Sequence, residues 1–301
     1  MKGKSILVTG ASGFIGSHLS VELKKQGADV LLLTDQDGKN IELRDWRKLK
    51  NYVGELGKVD LVYHLAAQLF VPYSFENPRD VYEVNVLGTL NVLELCRLYN
   101  IQKIVFPSSY VYGHPQYLPI DEGHPINPNN PYARSKVIGE ALCKAYHEDY
   151  NLNCTILRSF NIYGEGQGNR FLIPSIIKQL ESGRIEIKDP EPRRDYLYIS
   201  DAIEAFVKAG EYSNAEFDVF NIGSGTSYSV AEVVSKVLES WGREAEVDYR
   251  GRRRVGEIVD VVANIQKAGE KLSWKPHVSL EQGLSKYVEW HRDQLTKATQ
   301  S

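Results

Sequence analysis

The sequence predicts an α/β protein built on a doubly wound parallel sheet, and three observations lead there. A short apolar run, Ser5-Ile-Leu-Val-Thr9, feeds a glycine turn and then an amphipathic stretch over 17–26, stopped by Gly27. Further runs of buried-strand type follow at 29–33, 59–65, 103–108 and 154–158, with helical stretches at 80–99 and 131–150 between the later ones. Small and polar residues follow these runs at their carboxyl ends, where such a sheet opens its ligand crevice.

The chain has 301 residues, enough for one large α/β domain or a nucleotide-binding domain with a smaller companion. Hydrophobic residues make up 42% and charged ones 25%, an ordinary balance for a chain with a sizeable core. A net charge of −3 points to neither nucleic acid nor a membrane surface as partner. Cys96, Cys143 and Cys154 are too few and too scattered for a disulfide framework or a metal centre. The first strand begins at Ser5, leaving no room for a signal peptide, and no apolar run approaches a membrane span. These features predict a cytoplasmic protein with reduced thiols.

The turn after the first strand reads Gly10-Ala-Ser-Gly13-Phe-Ile-Gly16. Its glycines let the backbone approach a pyrophosphate and place it at a helix N-terminus, where free N–H groups and the dipole favour negative charge. The second strand ends in Thr34-Asp35, about 25 residues past Gly10. A carboxylate there accepts hydrogen bonds from the adenosine ribose and repels a 2′-phosphate, which favours NAD over NADP. Asp35 stands one residue later than the usual acid, with Thr34 in that place. Glu42 and Leu43 are placed to border the adenine, and Leu65, Ala66 and Ala67 allow close approach of a ligand at the third strand's carboxyl end.

Residues 80–99 read as a long helix with Val84, Leu87, Leu90, Val92 and Leu95 at helical spacing. Asn85 and Gly88-Thr89 interrupt its apolar character, and a buried amide such as Asn85 needs a partner. The strand at 103–108 delivers Ser108-Ser109-Tyr110-Val111-Tyr112-Gly113 to the crevice edge. Tyr132 and Lys136 lie four apart on the following helix, one turn from each other on one face. A phenol has a pKa near 10, and a nearby ammonium stabilises the phenolate toward use as a base. A serine hydroxyl bonded to the same substrate oxygen completes a proton relay.

The chain resembles the extended short-chain dehydrogenase/reductase family, whose members modify nucleotide sugars. The resemblance rests on Thr9-Gly10-Ala-Ser-Gly13-Phe-Ile-Gly16, His64-Leu-Ala-Ala67, Asn85-Val-Leu-Gly-Thr89, Ser108-Ser-Tyr-Val-Tyr-Gly113 and Tyr132-Ala-Arg-Ser-Lys136. It continues through Asn161-Ile-Tyr-Gly164, Arg194-Asp-Tyr-Leu-Tyr-Ile-Ser-Asp201, Asn221-Ile-Gly-Ser-Gly225 and Trp274-Lys-Pro276, nearly the whole chain in order. It implies a Rossmann domain over 1–160, to which parts of 161–225 return, and a smaller α/β substrate lobe mainly over 161–301. It implies Tyr132 as acid/base, Lys136 holding the nicotinamide ribose, and Ser108 on the reacting sugar oxygen, with Ser109 the competing choice. Phe14, Ile15 and Asn85 join the glycines around NAD. Asn161, Arg194 and Arg254 match residues on the substrate diphosphate, as the guanidinium fork suits phosphate oxygens, and Glu257 matches an acid on the nucleoside ribose. Either Arg193 or Arg194 can face the ligand, and Arg252 and Arg253 are also consistent with a solvated basic turn.

The family's 4,6-dehydratases carry an acid just after the catalytic hydroxyl residue, and this chain has Ser109-Tyr110 there. The set Ser/Tyr/Lys without that acid implies a nucleotide-sugar 4-epimerase working through a transient 4-keto sugar. A nucleotide-sugar reductase or 4-dehydrogenase uses the same residues, and a non-catalytic NAD-binding sensor keeps the fold alone. Relatives pair the helices at 80–99 and 131–150 across a two-fold axis, which implies a homodimer.

Overall fold

The computed structural model describes residues 1–33, 41–213, 216–242, 244–251 and 257–300, the side chains of 298–300 excepted. Thr34 and Asp35, and Arg252, Arg253 and Arg254, lie outside the described residues.

Strand and helix alternate through the first half: β1 (Ser5–Thr9), α1 (Phe14–Lys25), β2 (Asp29–Leu32), α2 (Trp46–Glu55) and β3 (Leu61–His64). Then come α3 (Val71–Glu76), α4 (Pro78–Tyr82), a π-helical turn at Glu83–Leu87, α5 (Gly88–Leu98), β4 (Lys103–Ser108), α6 (Pro131–Tyr150) and β5 (Asn153–Ser159). The second half runs β6 (Asn161–Tyr163), α7 (Leu172–Leu180), β7 (Arg184–Ile187), β8 (Arg193–Tyr198), α8 (Ile199–Glu211) and β9 (Asp218–Ile222). It ends with β10 (Ser227–Ser229), α9 (Val230–Trp241), β11 (Glu246–Tyr249), α10 (Gln266–Leu272) and α11 (Leu280–Gln300).

Six strands form one sheet in the order β2-β1-β3-β4-β5-β9, all parallel. The chain winds outward from β1 to β2, then returns past β1 to β3, so the switch point falls between β1 and β3. Side chains alternate between the two faces, as a strand's period of two requires. Ile6, Val8, Leu61, Tyr63, Val105 and Leu157 pack with Leu19 and Leu23 of α1 and Phe206 of α8. Leu7, Val62, Ile104, Phe106 and Ile156 pack with Leu49 of α2, Val92 and Leu93 of α5 and Cys143 of α6. Each such fully buried Leu or Ile contributes about 1.5–3 kcal/mol of transfer free energy. Beyond this sheet, β10-β8-β6 and β11-β7 form two smaller sheets.

Three local features depart from the sequence expectations. α1 begins at Phe14 rather than 17, so Ile15 and Gly16 lie in its first turn. The helix expected over 80–99 is not one α-helix, because a π turn at Glu83–Leu87 separates α4 from α5. Thr89 Oγ1 donates back to the Asn85 carbonyl at 2.6 Å, a side-chain bond that competes with the regular helix ladder there. The glycine-rich sequence of 161–174 reads as irregular, yet it opens with β6, which pairs parallel with β8.

Candidate functional site

The site forms where the carboxyl ends of β1, β3 and β4 meet the start of α6. β1 ends at Thr9, and Gly10 turns the chain with φ +66°, a conformation that favours glycine. A Cβ on Gly10 would lie 2.7 Å from Ala66 N, so the absent side chain lets the turn seat directly on the segment leaving β3. Gly16 packs in the same way on the Gly10 carbonyl. α1 starts after Gly13 with no side-chain cap and no acidic residue in its first turn. Its leading N–H groups therefore offer an anion both hydrogen bonds and a favourable dipole.

α6 is started by Asn130, whose side chain accepts from Ala133 N, with Pro131 at the first helical position. Tyr132 thus sits in the first turn and Lys136 one turn on. The helix approaches β4 closely at Gly139, where a Cβ would stand 2.6 Å from the Phe106 ring. That contact brings Lys136 Nζ to 2.9 Å from the Pro107 carbonyl and 4.9 Å from the Phe106 ring centroid. Burial lowers Lys136 to about 8, so its ammonium persists at neutral pH.

Burial raises the Tyr132 phenol above its ordinary value, and a hydrogen bond with Ser109 opposes that rise. Of the two serines, Ser109 is the one that influences the Tyr132 phenol, while the Ser108 hydroxyl is buried without a hydrogen-bond partner among the described residues. Tyr110, in the position where dehydratases place an acid, donates its hydroxyl to the Gly113 carbonyl.

Asn85 has the partners its burial demands. Its Oδ1 accepts from Gln68 N at 2.7 Å, and its Nδ2 donates to Gln68 O and Ser135 Oγ, both at 2.9 Å. Leu43 is turned into the core beside Gly88, its carbonyl accepting from Asn91 Nδ2. Glu42 is exposed and pairs with Arg44.

Arg194 and Glu257 form an ion pair, and Arg194 also donates to the Arg193 and Ile258 carbonyls at 2.8 Å. Arg193 is committed elsewhere, to Glu232 and the Ser227 carbonyl. Asn161 lies one strand away on β6, its amide 3.2 Å from the Asp195 carbonyl. One contact had no signal in the sequence: the Arg170 guanidinium lies 5.2 Å over the Phe70 ring. It joins the segment after β3 to the segment before α7 through a cation–π stack.

A glycine turn at the switch point of a parallel sheet, beside an uncapped helix start, defines a Rossmann-type dinucleotide-binding protein. Sequence comparison narrows this class: the chain belongs to the NAD dependent epimerase/dehydratase family, whose model matches residues 6–223. NAD is accordingly its cofactor. A putative UDP-glucose 4-epimerase of Methanocaldococcus jannaschii is 38% identical, over 96% of this chain and 98% of its own length. The UDP-glucose 4-epimerase of Mycolicibacterium smegmatis is 33% identical, over 95% of this chain and 98% of its own length. The crystal structure of the Thermotoga maritima UDP-glucose 4-epimerase with UDP-glucose superposes with a TM-score of 0.90 at 30% identity, covering 97% of this chain and 99% of that one.

Proposed function

We propose that this protein is a UDP-sugar 4-epimerase in which Tyr132 exchanges the proton of the sugar's 4-hydroxyl. The arrangement that carries the reading is Tyr132 one helix turn from the buried Lys136 on α6, with Ser109 near the phenol and Tyr110 where a dehydratase needs its acid. The UDP-glucose 4-epimerases among its relatives support the choice of nucleotide and of reaction.

NAD, when bound, would supply reversible hydride acceptance from sugar carbon 4. Tyr132, as phenolate, receives the 4-hydroxyl proton while the carbon–oxygen bond becomes a carbonyl, and returns it when the hydride comes back. The Ser108-Ser109 pair orients the sugar oxygen. Ser109 stands near the Tyr132 phenol, and Ser108 brings an unused hydroxyl. Lys136, on the Pro107 carbonyl here, would hold the nicotinamide ribose and keeps positive charge near the phenol. The turn Gly10 to Gly16, with Phe14 and Ile15, would cradle the pyrophosphate, and Leu65, Ala66 and Ala67 would wall the same crevice. Asp35, Glu42 and Leu43 are assigned to the adenosine end.

On the substrate side Arg194, Arg254 and Asn161 hold the diphosphate and Glu257 the uridine ribose. Arg194 then exchanges Glu257 for phosphate oxygens when the ligand enters. The protein is also proposed to be a cytoplasmic homodimer. The three buried free cysteines support the compartment, and exposed Leu87, Leu90 and Ile138 support the interface. No helix among the described residues is long and apolar enough to cross a membrane.

The deciding experiment incubates purified protein with UDP-glucose and with UDP-galactose, without added cofactor. Interconversion with NAD retained on the protein is the expected result. Stoichiometric NADH release, or a requirement for NADPH, would replace the epimerase with a dehydrogenase or reductase.

A further inference from the structure

Beneath the glycine turn runs a row of buried hydrogen bonds that the proposed chemistry does not use. Thr9, His64 and Thr89 are each at most 1% exposed. His64 Nδ1 lies 2.9 Å from Thr9 Oγ1, and its Nε2 lies 3.0 Å from Thr89 Oγ1. The two threonines determine the ring's tautomer, because each hydroxyl has one hydrogen to give. Thr89 Oγ1 stands 2.6 Å from the Asn85 carbonyl, a contact between two oxygens that requires Thr89's hydrogen. Thr89 can then only accept from His64, so Nε2 carries the ring proton and Nδ1 is an acceptor. Nδ1 receives the hydrogen of Thr9, whose oxygen accepts from Ala66 N–H at 3.1 Å. The row is directed throughout, from Ala66 to Thr9, to His64, to Thr89, to Asn85. Burial, aided by the Lys136 charge, brings His64 down to about 3, so a second proton stays off the ring.

Both ends of the row lie in the site. Ala66 is the residue on which Gly10 seats. Asn85 holds Ser135, and Ser135 Oγ donates to the Tyr132 carbonyl at 2.7 Å. His64 is the link that spans from β3 to Thr89 at the start of α5, with the glycine turn on one side of the ring and the π turn on the other. An imidazole fits this place because its two nitrogens, one donor and one acceptor, point in opposed directions from one rigid ring.

We propose that His64, as the neutral Nε2–H tautomer, is a positioning residue that holds the cofactor turn in register with the helix bearing Tyr132. The step it affects rests on the epimerase reading, but the tautomer and the NAD affinity do not.

In the full-length protein with its NAD, ring-nitrogen NMR of labelled histidine should show His64 as Nε2–H, the resonance being assigned by its loss in His64→Gln. An Nδ1–H tautomer or a doubly protonated ring at neutral pH would overturn the proposal. Thr89→Val removes the acceptor without adding bulk. It should lower kcat by about tenfold with KM for UDP-glucose within about twofold, and weaken NAD binding measured by calorimetry. His64→Gln, which keeps one donor and one acceptor, should recover most of the kcat that His64→Leu loses. If Thr89→Val and His64→Leu cost only thermal stability, with kcat and NAD affinity of the folded protein intact, the role is structural and the proposal fails. A protein that binds NAD but interconverts no UDP-sugar would sink the functional reading alone, since the tautomer and the NAD affinities would still decide this one.

Discussion

Tyr132 and Lys136 respond to burial in opposite ways, and each response can be measured. Removing the phenol in Tyr132→Phe should lower kcat by about a hundredfold to ten-thousandfold, the usual range for a lost acid/base group, while UDP-sugar binding persists. Full activity in that variant would exclude the assignment. Lys136 is lowered from 10.5 to about 8, so between those pH values the unfolded chain binds a proton that the folded one lacks. Lys136 therefore favours folding increasingly as pH rises through that window, and below about 8 its buried charge is a constant cost. Denaturant midpoints of cofactor-free wild type minus those of Lys136→Met should climb from pH 8 to 10.5; a flat difference would contradict the buried ammonium. The tyrosine, the lysine, the glycine turn and the need of Asn85 for partners were all legible in the sequence, because each follows from residue type and local spacing. Whether Ser108 or Ser109 meets Tyr132 was not, since it depends on how the chain turns as it leaves β4. The pairing of Arg194 with Glu257, residues far apart in the chain, was equally invisible without coordinates.

Elements decide how firmly those residues are held. Because Tyr132 lies in the first turn of α6, its aim depends on a well-formed helix start. Asn130→Ala removes the bond to Ala133 N and should cost about 1 kcal/mol of stability by chemical denaturation. A loss of kcat larger than the loss of folded protein would show that the cap also orients Tyr132. The bounds of β4 and α6 match the strand at 103–108 and the helix at 131–150 read from the sequence. The π turn at Glu83–Leu87 did not announce itself, because its cause is a set of tertiary bonds: Asn85 to Gln68 and Ser135, and Thr89 back to Asn85. α2 was not read from the sequence although Leu49 and Val53 lie one turn apart on its buried face, because the helix is short and set among charged neighbours.

At the scale of the whole molecule, α5 and α6 present Leu90 and Ile138 at 37% and 40% exposure, an apolar face that a second copy would cover. Leu90→Glu combined with Ile138→Glu should shift sedimentation from dimer to monomer, and a wild type that is monomeric at micromolar concentration would remove this interface. The doubly wound class was legible from the alternation of strand and helix, and the return of a late strand to the sheet was implied only by family resemblance. That late strand, β9, reaches the sheet after the whole excursion through β6, α7, β7, β8 and α8, and it buries Phe220 and Ile222 completely. Closing so long a loop before any contact rewards it is slow. During synthesis, β5 must therefore wait as an open edge until residue 222 has left the ribosome. A chain cut at residue 160 should expose that edge and aggregate rather than unfold cooperatively. The sheet that carries the glycine turn runs on in sequence to residue 159, yet it is completed only at residue 222.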